Sequence, residues 1–452
     1  MQPDQELILT SKLSEAFNAL ERGTDHLFIT GKAGTGKSTL LTTYRNKLQD
    51  LGQELVVLAP TGVAALNVDG QTIHSFFNFA PNASLDEAVT AAKRHRKKEL
   101  FRSLTEIVID EISMVRSDLL DCIDIFLQTV RLSPLPFGGV RMVFFGDLYQ
   151  LPPVVSWQEK TEFAKLYSSP YFFGAKVMDR LLHEGLYGGL QSSAAGSSYG
   201  ALKLIELDHI FRQTDTSFIE ILNAIRNQSM TAAHLEQLNT RVQAEIATDQ
   251  AIILTGRRDT ALELNWDHLA SLKSGLGEYV GEVTGTFPKG HLPTEQSLSL
   301  KVGARVMFVA NDSQKRWVNG TLGTITKMRG GEVVVRLDSG EIELVTPYTW
   351  ELSKMVFNQD SNMLERETLG SFKQLPITVA QAITIHKSQE KTFDHLIIDL
   401  RRGVFAHGQA YVALSRCRTL EGMSLTAPLL KQHVMMDPQV GTFMNQFSLG
   451  DV

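Results

Sequence analysis

The sequence predicts an α/β protein in two halves, organised on a phosphate-binding loop, with a β-rich insertion in the second half. Three observations predict it. The apolar run His26-Leu27-Phe28-Ile29-Thr30 ends in Gly31-Lys32-Ala33-Gly34-Thr35-Gly36-Lys37-Ser38, and an amphipathic segment follows from Thr39 to Leu48. Further apolar runs at 54–59, 106–109, 140–145, 202–207, 251–255, 377–380 and 395–399 read as buried strands, with helical patterns between several of them. Between about 281 and 372, short β-rich runs separated by Asn319-Gly320, Gly330-Gly331 and Ser339-Gly340 read as a small antiparallel barrel.

The first of these carries the chemistry. Gly31, four residues, then Gly36-Lys37-Ser38 is the complete phosphate-loop spacing, and the flanking strand and helix are those the pattern requires. Gly34 and Gly36 let successive N–H groups converge on an anion, and the helix N-terminus adds its positive end. Lys37 reaches the outer phosphates, and the Ser38 hydroxyl suits magnesium, a hard cation that takes oxygen ligands. The bland alternative is a glycine-rich turn with a chance Lys-Ser, and the context argues against it. Nucleoside triphosphate binding is expected, with Gly34, Thr35, Gly36, Lys37, Ser38 and Thr39 as contacts.

With 452 residues the chain suits two to four domains. Its 43% hydrophobic and 21% charged content is that of a globular protein, neither disordered nor fibrous. No run approaches the ~18 apolar residues of a membrane span, and Met1-Gln2-Pro3-Asp4-Gln5-Glu6 lacks the basic start and apolar core of a signal peptide. A cytoplasmic protein is expected, nucleoid-associated if bacterial. Cys122 and Cys417 stand far apart with no metal or disulfide pattern and read as packing residues. A net charge of −6 argues against a nonspecific basic coat for nucleic acid, but a focused basic groove needs only local charge.

Along the chain, Leu13 to Leu20 reads as a short helix beside the loop. The segment from Thr61 to Phe77 mixes small residues, hydroxyls and aromatics, suited to backbone phosphates and base stacking, or to a helix followed by core aromatics. Lys93-Arg94-His95-Arg96-Lys97-Lys98 is a solvated helix face or the edge of a nucleic-acid track. The run at 106–109 ends in Asp110-Glu111, which places one carboxylate to support magnesium and another to accept a proton from an attacking water. A helix from Ser117 to Arg131 carries Leu119, Leu120, Ile123, Phe126 and Leu127 on one face. Gln150 lies just past the next strand, where it could sense a terminal phosphate. Residues 185–200 hold five glycines and four serines and read as a linker or insertion, and the second half is expected to start near residue 203. The last element, 409–418, reads as a helix delivering two arginines.

Taken together, eight stretches in this order resemble the superfamily-one 5′-to-3′ DNA helicases of the petite-integration-frequency (PIF) family and, more distantly, RecD. They are GKAGTGKS at 31, APTGVAALNVDGQTIHSFF at 59, IDEISMV at 109, GDLYQLPPV at 146, FRQ at 211, VNGTLGTI at 318, ITIHKSQEKTFD at 383 and YVALSRCR at 411. The resemblance implies two RecA-like lobes with ATP and magnesium between them and single-stranded DNA across their tops. By position it implies Lys37, Glu111, Gln150, Arg212 and Arg416 as catalytic residues, Ser38 and Asp110 at the metal, and Thr61, Gly62, Thr72, His74, Ser75, Phe76, Thr384 and His386 as strand contacts. Arg212 and Arg416 would be offered by the second lobe to the γ-phosphate.

The implied domains are a first lobe at 1–76 and 104–184 with a small insertion at 77–103 near a fork, the linker at 185–202, a second lobe at 203–280 and 373–440, the barrel at 281–372 and a tail at 441–452. Three departures stand out: Glu390 where the family has Gly, Ser14 near the place of an adenine-reading Gln, and the length of the Gly/Ser stretch. The activity implied is ATP-driven unwinding of duplex or forked DNA by a monomer, with RNA–DNA hybrids and G-quadruplexes as further substrates and roles in replication, repair, recombination and telomere-like maintenance. Two other readings remain open here: a nucleotide-gated single-strand binding protein that does not unwind, and a RecD-like subunit of a larger recombination enzyme.

Overall fold

A computed structural model describes residues 10–80, 82–187, 201–213, 215–246, 251–358, 363–389, 391–401 and 406–448. Its first sheet is wholly parallel. The strands β1 (His26–Gly31), β2 (Val56–Ala59), β3 (Gln71–Thr72), β4 (Glu106–Ile109), β5 (Arg141–Phe145) and β6 (Leu202–Leu207) lie in the order β3-β2-β4-β5-β1-β6. Such a sheet is covered on both faces, so its strands read as continuous apolar runs, and all six residues of β1 are buried. Period-two alternation sends them to different cores. Leu27 and Ile29 meet Leu40, Leu41 and Tyr44 of the helix Lys37–Asp50, while Phe28 meets the cluster that holds Leu120, Ile123 and Phe126 of the helix Ser117–Arg131.

Two expected boundaries are corrected. The run at 202–207, expected to open the second half, pairs in parallel with β1 from His26–Leu202 to Gly31–Leu207 and completes the first sheet. An apolar run shows that a strand exists, not which sheet edge will take its hydrogen bonds. Residues 441–448 are not a tail either. They lie in the helix Pro438–Ser448, which carries Val440 and Phe443 into the first-lobe core, where the Phe443 ring stacks on Phe173 at 4.5 Å. The stripe Val440, Phe443, Met444, Phe447 has helical spacing and was the signal for it.

The small insertion forms the helices Leu85–Arg94 and Lys98–Ser103, and Ala88, Ala92, Leu100 and Phe101 join the same core, so it is an outgrowth of the first lobe rather than a separate body. A capping box between Ser84 and Glu87 starts its first helix. Of the Gly/Ser stretch, 188–200 lies outside the described residues, and the helix Lys176–Tyr187 runs up to it.

The second lobe's own sheet starts with β7 (Ile252–Thr255), after the helix Thr216–Arg226 that packs into the same core. The chain then leaves its sheet for β8 (Gly277–Val280), β9 (Glu282–Gly285), β10 (Ser297–Leu300), β11 (Arg305–Phe308), β12 (Leu322–Arg329), β13 (Glu332–Leu337), β14 (Ile342–Val345), β15 (Tyr348–Asn358), β16 (Met363–Gln374) and β17 (Ile377–Val379). It returns as β18 (Ala382–Thr384), β19 (Leu396–Asp399) and β20 (Met423–Leu425). The lobe's own sheet is parallel, in the order β18-β7-β19-β20. The expected antiparallel module is present between these strands. Its ladders are three: β10-β8, β14-β13-β12-β11-β17 and β15-β16-β9. Val333, Val335 and Leu337 alternate inward along β13 to meet Val306, Phe308 and Ile325.

Both cysteines are buried, and burial foremost pushes their thiols up to about 12 at Cys122 and about 11 at Cys417, as packing residues require. Among the described residues no helix is long and apolar enough to cross a membrane.

Two outcomes follow. Phe443→Ala lowers the unfolding free energy by about 3 kcal/mol in urea denaturation, the range for deleting a buried aromatic ring; a loss near zero would detach the last helix from the first-lobe core. His26 is buried on β1, accepts the Met142 N–H on Nδ1 at 3.0 Å, and has its pKa lowered from 6.5 to about 4 by burial and then by Arg141. The unfolded chain therefore binds the proton first, so stability falls as pH drops from about 6.5 to about 4, by up to roughly 3 kcal/mol, and then levels off. Denaturation of His26→Asn across that range should show a flatter profile than the parent.

Candidate functional site

The strand-to-helix turn after β1 has the form of an anion cradle. Gly34 and Gly36 hold φ at +81° and +88°, in the left-handed region that glycine enters without strain. Gly36 opens the helix Lys37–Asp50, and no side chain caps that end, so its first N–H groups keep their donor capacity for a ligand. The Lys37 ammonium donates to the carbonyls of Gly31 at 2.7 Å and Lys32 at 3.1 Å. Burial lowers its pKa, opposed foremost by Asp147 and then Glu111. Ser38 and Thr39 are exposed on the first turn, and Thr35 donates to the Lys32 carbonyl at 2.9 Å.

The acidic pair sits at the end of β4, the neighbour of both β2 and β5. Asp110 is 6% exposed and accepts the Glu111 N–H on Oδ1 at 2.9 Å. Glu111 itself has φ +51°, an uncommon conformation for a residue with a side chain and of the kind that clusters at functional sites. The donor set around the loop, a serine hydroxyl and a carboxylate, matches a hard divalent cation held largely by phosphates.

Just past β5, the buried Gln150 donates through Nε2 to Asp147 Oδ2 at 3.4 Å.

The second lobe meets this loop directly. The Ala33 N–H donates to the Tyr411 hydroxyl at 3.2 Å, and the Phe211 N–H to the Gly34 carbonyl at 2.9 Å. A Cβ on Gly34 would lie 2.4 Å from the Arg212 Cβ, so Arg212 passes over the loop at a position that tolerates no side chain. Gln213 ties this segment to the turn that follows the helix Gln409–Leu414, donating to the carbonyls of Ser415 at 2.9 Å and Cys417 at 3.0 Å. Arg416 is placed otherwise than expected. It is 1% exposed, and its guanidinium donates to the Val412 carbonyl at 3.0 Å and the Ser415 hydroxyl at 3.0 Å, within its own lobe. A buried guanidinium takes hydrogen bonds wherever they lie nearest.

The predicted strand contacts divide. Thr61 and Thr72 cap short helices, accepting the Ala64 and Ser75 N–H groups at 3.2 Å each, and Thr384 accepts that of Lys387 at 3.2 Å. Ser75 and His386 are exposed. Phe76 is largely buried: at 6% exposure it packs edge-on against Phe77 at 5.0 Å and Phe101 at 5.3 Å, in an aromatic core cluster at the wall of a cavity. That cavity, of about 730 Å³, is lined by Ser75, Arg94, His95, Arg96, Lys97 and Lys354 among others, so much of the basic run turns toward this space. The antiparallel module sits on the same face. His291 packs against Gly62, Asn319 Nδ2 donates to Asn67 Oδ1 at 3.0 Å, Gln71 Nε2 to the Ser353 carbonyl at 2.7 Å, and Glu367 pairs with Lys97 at 3.4 Å and Lys354 at 3.2 Å. Glu390 lies outside the described residues.

Asp147, Gln213, Tyr411 and Arg226, which reaches Asp147 from the second lobe, were not singled out in the sequence. The first three stand inside the matched stretches. Arg226 closes an amphipathic helix, Thr216–Arg226, and nothing local distinguishes it from a solvent-facing helix end.

Comparison with known proteins agrees with this geometry. Residues 1–178 match the PIF1-like helicase family and residues 289–328 the 2B domain of DNA helicase Pif1. The chain is 31% identical to the ATP-dependent DNA helicase Pif1 of Bdellovibrio bacteriovorus over 99% of its own length and 94% of the relative's. It is 32% identical to ATP-dependent DNA helicase PIF1 of Homo sapiens over 92% of its length, but spans only 60% of that protein. The crystal structure of Bacteroides sp Pif1 with ADP-AlF4 superposes with a TM-score of 0.84 at 35% identity, covering 99% of this chain and 98% of that one. The same protein bound to ssDNA gives 0.66, at 35% identity and 98% coverage of each. A phosphate loop clasped by a second parallel-sheet lobe, an inserted antiparallel module, and a relative matched almost end to end lead to one conclusion: the chain belongs to the PIF1-like family of ATP-hydrolysing DNA helicases.

Proposed function

We propose that this chain moves 5′ to 3′ along single-stranded DNA on ATP and magnesium and separates duplex ahead of it, acting as a monomer. The observation that carries the reading is the clasp on the phosphate loop: Tyr411 and the Phe211-Arg212 segment, both beyond the first sheet, contact the turn that would hold the phosphates. Nucleotide occupancy and lobe spacing are then one variable, which a motor needs and a simple clamp does not. The direction rests on the resemblance of the eight stretches.

The roles follow from position. Lys37 leaves the Gly31 and Lys32 carbonyls for the outer phosphates, Gly34, Thr35, Gly36 and Thr39 line the cradle, and Ser38 and Asp110 hold magnesium. Glu111 takes a proton from the attacking water. Gln150 senses the γ-phosphate, Arg212 is poised over it, and Arg416 must turn out of its own lobe to join. Bound ATP with magnesium supplies the leaving group and the charge these side chains stabilise.

Thr61, Gly62, Thr72, His74, Ser75, Thr384 and His386 hold the strand, with the basic cavity at 94–97 as its continuation toward a fork. RNA–DNA hybrids and G-quadruplexes are further proposed substrates, in genome maintenance near the nucleoid or chromosome. Since the module at 277–379 covers Gly62, Asn67 and Gln71, a strand enters only after the module swings away. The better fit to the Bacteroides Pif1 structure with ADP-AlF4 than to the ssDNA-bound one accords with this.

Glu111→Gln should abolish ssDNA-stimulated ATP hydrolysis, by about a hundredfold or more, while fluorescent ATP analogue still binds. Strand displacement from a 5′-tailed but not a 3′-tailed duplex checks direction; tight binding with no displaced strand on either would leave the nucleotide-gated clamp. Asn319→Ala, which leaves the charge unchanged and removes one docking hydrogen bond, should tighten ssDNA binding roughly two- to fivefold in anisotropy titrations. Weaker binding would mean that Asn319 touches the strand instead.

A further inference from the structure

One buried cation of the second lobe is spent on the first. Arg226 ends the helix Thr216–Arg226, whose Phe218, Ile221, Leu222 and Ile225 belong to the second-lobe core, yet its side chain crosses to first-lobe residues. Its Nη2 donates to Glu206 Oε1 on β6 at 2.9 Å, and its guanidinium carbon lies 4.2 Å from the Tyr149 ring centroid. Its Nε, buried and without a hydrogen bond among the described residues, stands 3.7 Å from Asp147 Oδ1. Asp147 is 1% exposed, and it is the group from which both the Tyr149 N–H, at 3.2 Å, and the Gln150 side chain, at 3.4 Å, take their acceptor.

We propose that Arg226 is a positioning residue of ATP hydrolysis: by holding Asp147 it fixes the Gln150 side chain, and because it belongs to the second lobe it fixes it only when the lobes are together. This rests on reading Gln150 as the γ-phosphate sensor.

The physics is that of a buried charge. A carboxylate as enclosed as Asp147 needs a partner, and one removed from it becomes an uncompensated charge. Three cations feel its charge, Lys32, Lys37 and Arg226. Lys37 feels Asp147 as the foremost charge opposing the effect of its burial, and Arg226 approaches from the other side. Arg226 therefore neutralises Asp147 without drawing Lys37 away from the phosphates. Burial works against the charge of Arg226, and Asp147, foremost among the groups that favour it, holds its pKa above the ordinary arginine range. The gap at Nε is one small closing movement, ~0.8 Å, from an ordinary hydrogen bond. Glu206 and Tyr149 already orient the guanidinium for that movement, and a lysine could not meet both carboxylates and the ring at once.

The test is ATP hydrolysis by the full chain at saturating ssDNA, with kcat and the KM for ATP measured separately. Gln150→Ala, Arg226→Gln and the double variant Asp147→Asn/Arg226→Gln are compared with the parent. The relay predicts that Arg226→Gln lowers kcat about tenfold or more with KM within about threefold, and that the double variant stays equally low because Gln150 is still unheld. A structural role predicts otherwise: removing the stranded carboxylate restores the enzyme, so a double variant within about twofold of the parent kcat overturns the proposal. A defective Gln150→Ala beside an unimpaired Arg226→Gln also overturns it, leaving the sensor intact. Parent-like kcat in Gln150→Ala removes the sensor reading, and the relay with it.

Discussion

Everything in this molecule is arranged around one turn that must be approached from two sides. The phosphate loop springs from the end of β1, where the first sheet delivers it, and the second lobe reaches over to touch it through Tyr411 and Phe211. A side chain at position 34 would collide with Arg212, and left-handed torsion at Gly34 and Gly36 turns the N–H groups inward. The two demands, close approach and left-handed backbone, are met by the same residue type for different reasons. From that constraint follow the parallel order of the first sheet, which puts β5 beside β1 and β4 next to β5 and so sets Asp110, Glu111 and Asp147 around the loop, and the docking of the second sheet against it.

The charges of the cleft are organised by burial. Lys37, Asp147 and Arg226 sit where water is scarce; Asp147 favours the charge of both cations, while Arg226 opposes that of Lys37. This makes the cleft a coupled set rather than a collection of separate residues, and it spans both lobes. Glu111 adds another kind of tension, a left-handed backbone at a residue with a Cβ, held by the strand before it and the turn after it. Arg416 shows the complementary case. In this arrangement its guanidinium is satisfied inside its own lobe, while the Arg212 Cβ lies over Gly34 and its Nη1 donates to the Ser415 carbonyl at 3.4 Å.

The antiparallel module has a different relation to the first lobe. It meets it through polar contacts at Asn67, Gln71 and Lys97, the packing of His291 on Gly62, and Leu66, which packs on the module's small apolar cluster of Phe287, Trp350 and Phe372. Contacts of that kind are individually worth little, and a face joined by them can open without exposing much apolar surface.

Much of this was legible in the residues themselves. The loop at 31–38, the acidic pair at 110–111, the apolar runs and the glycine-punctuated β-rich insertion are local patterns, each governed by chemistry or periodicity within a few positions. What was not legible depended on which surfaces meet. The run at 202–207 is apolar in either sheet, and only the free edge of β1 assigns it. Phe76 has the composition of a stacking platform, and only the neighbouring Phe77 and Phe101 make it core. Arg226 is one more helix-ending arginine until the second lobe closes on Asp147. Local sequence determines strands, turns and the chemical identity of the loop because those depend on neighbours along the chain. The partner of a sheet edge, the burial of a ring and the pairing of a charge depend on residues tens or hundreds of positions away, and tertiary packing alone decides them.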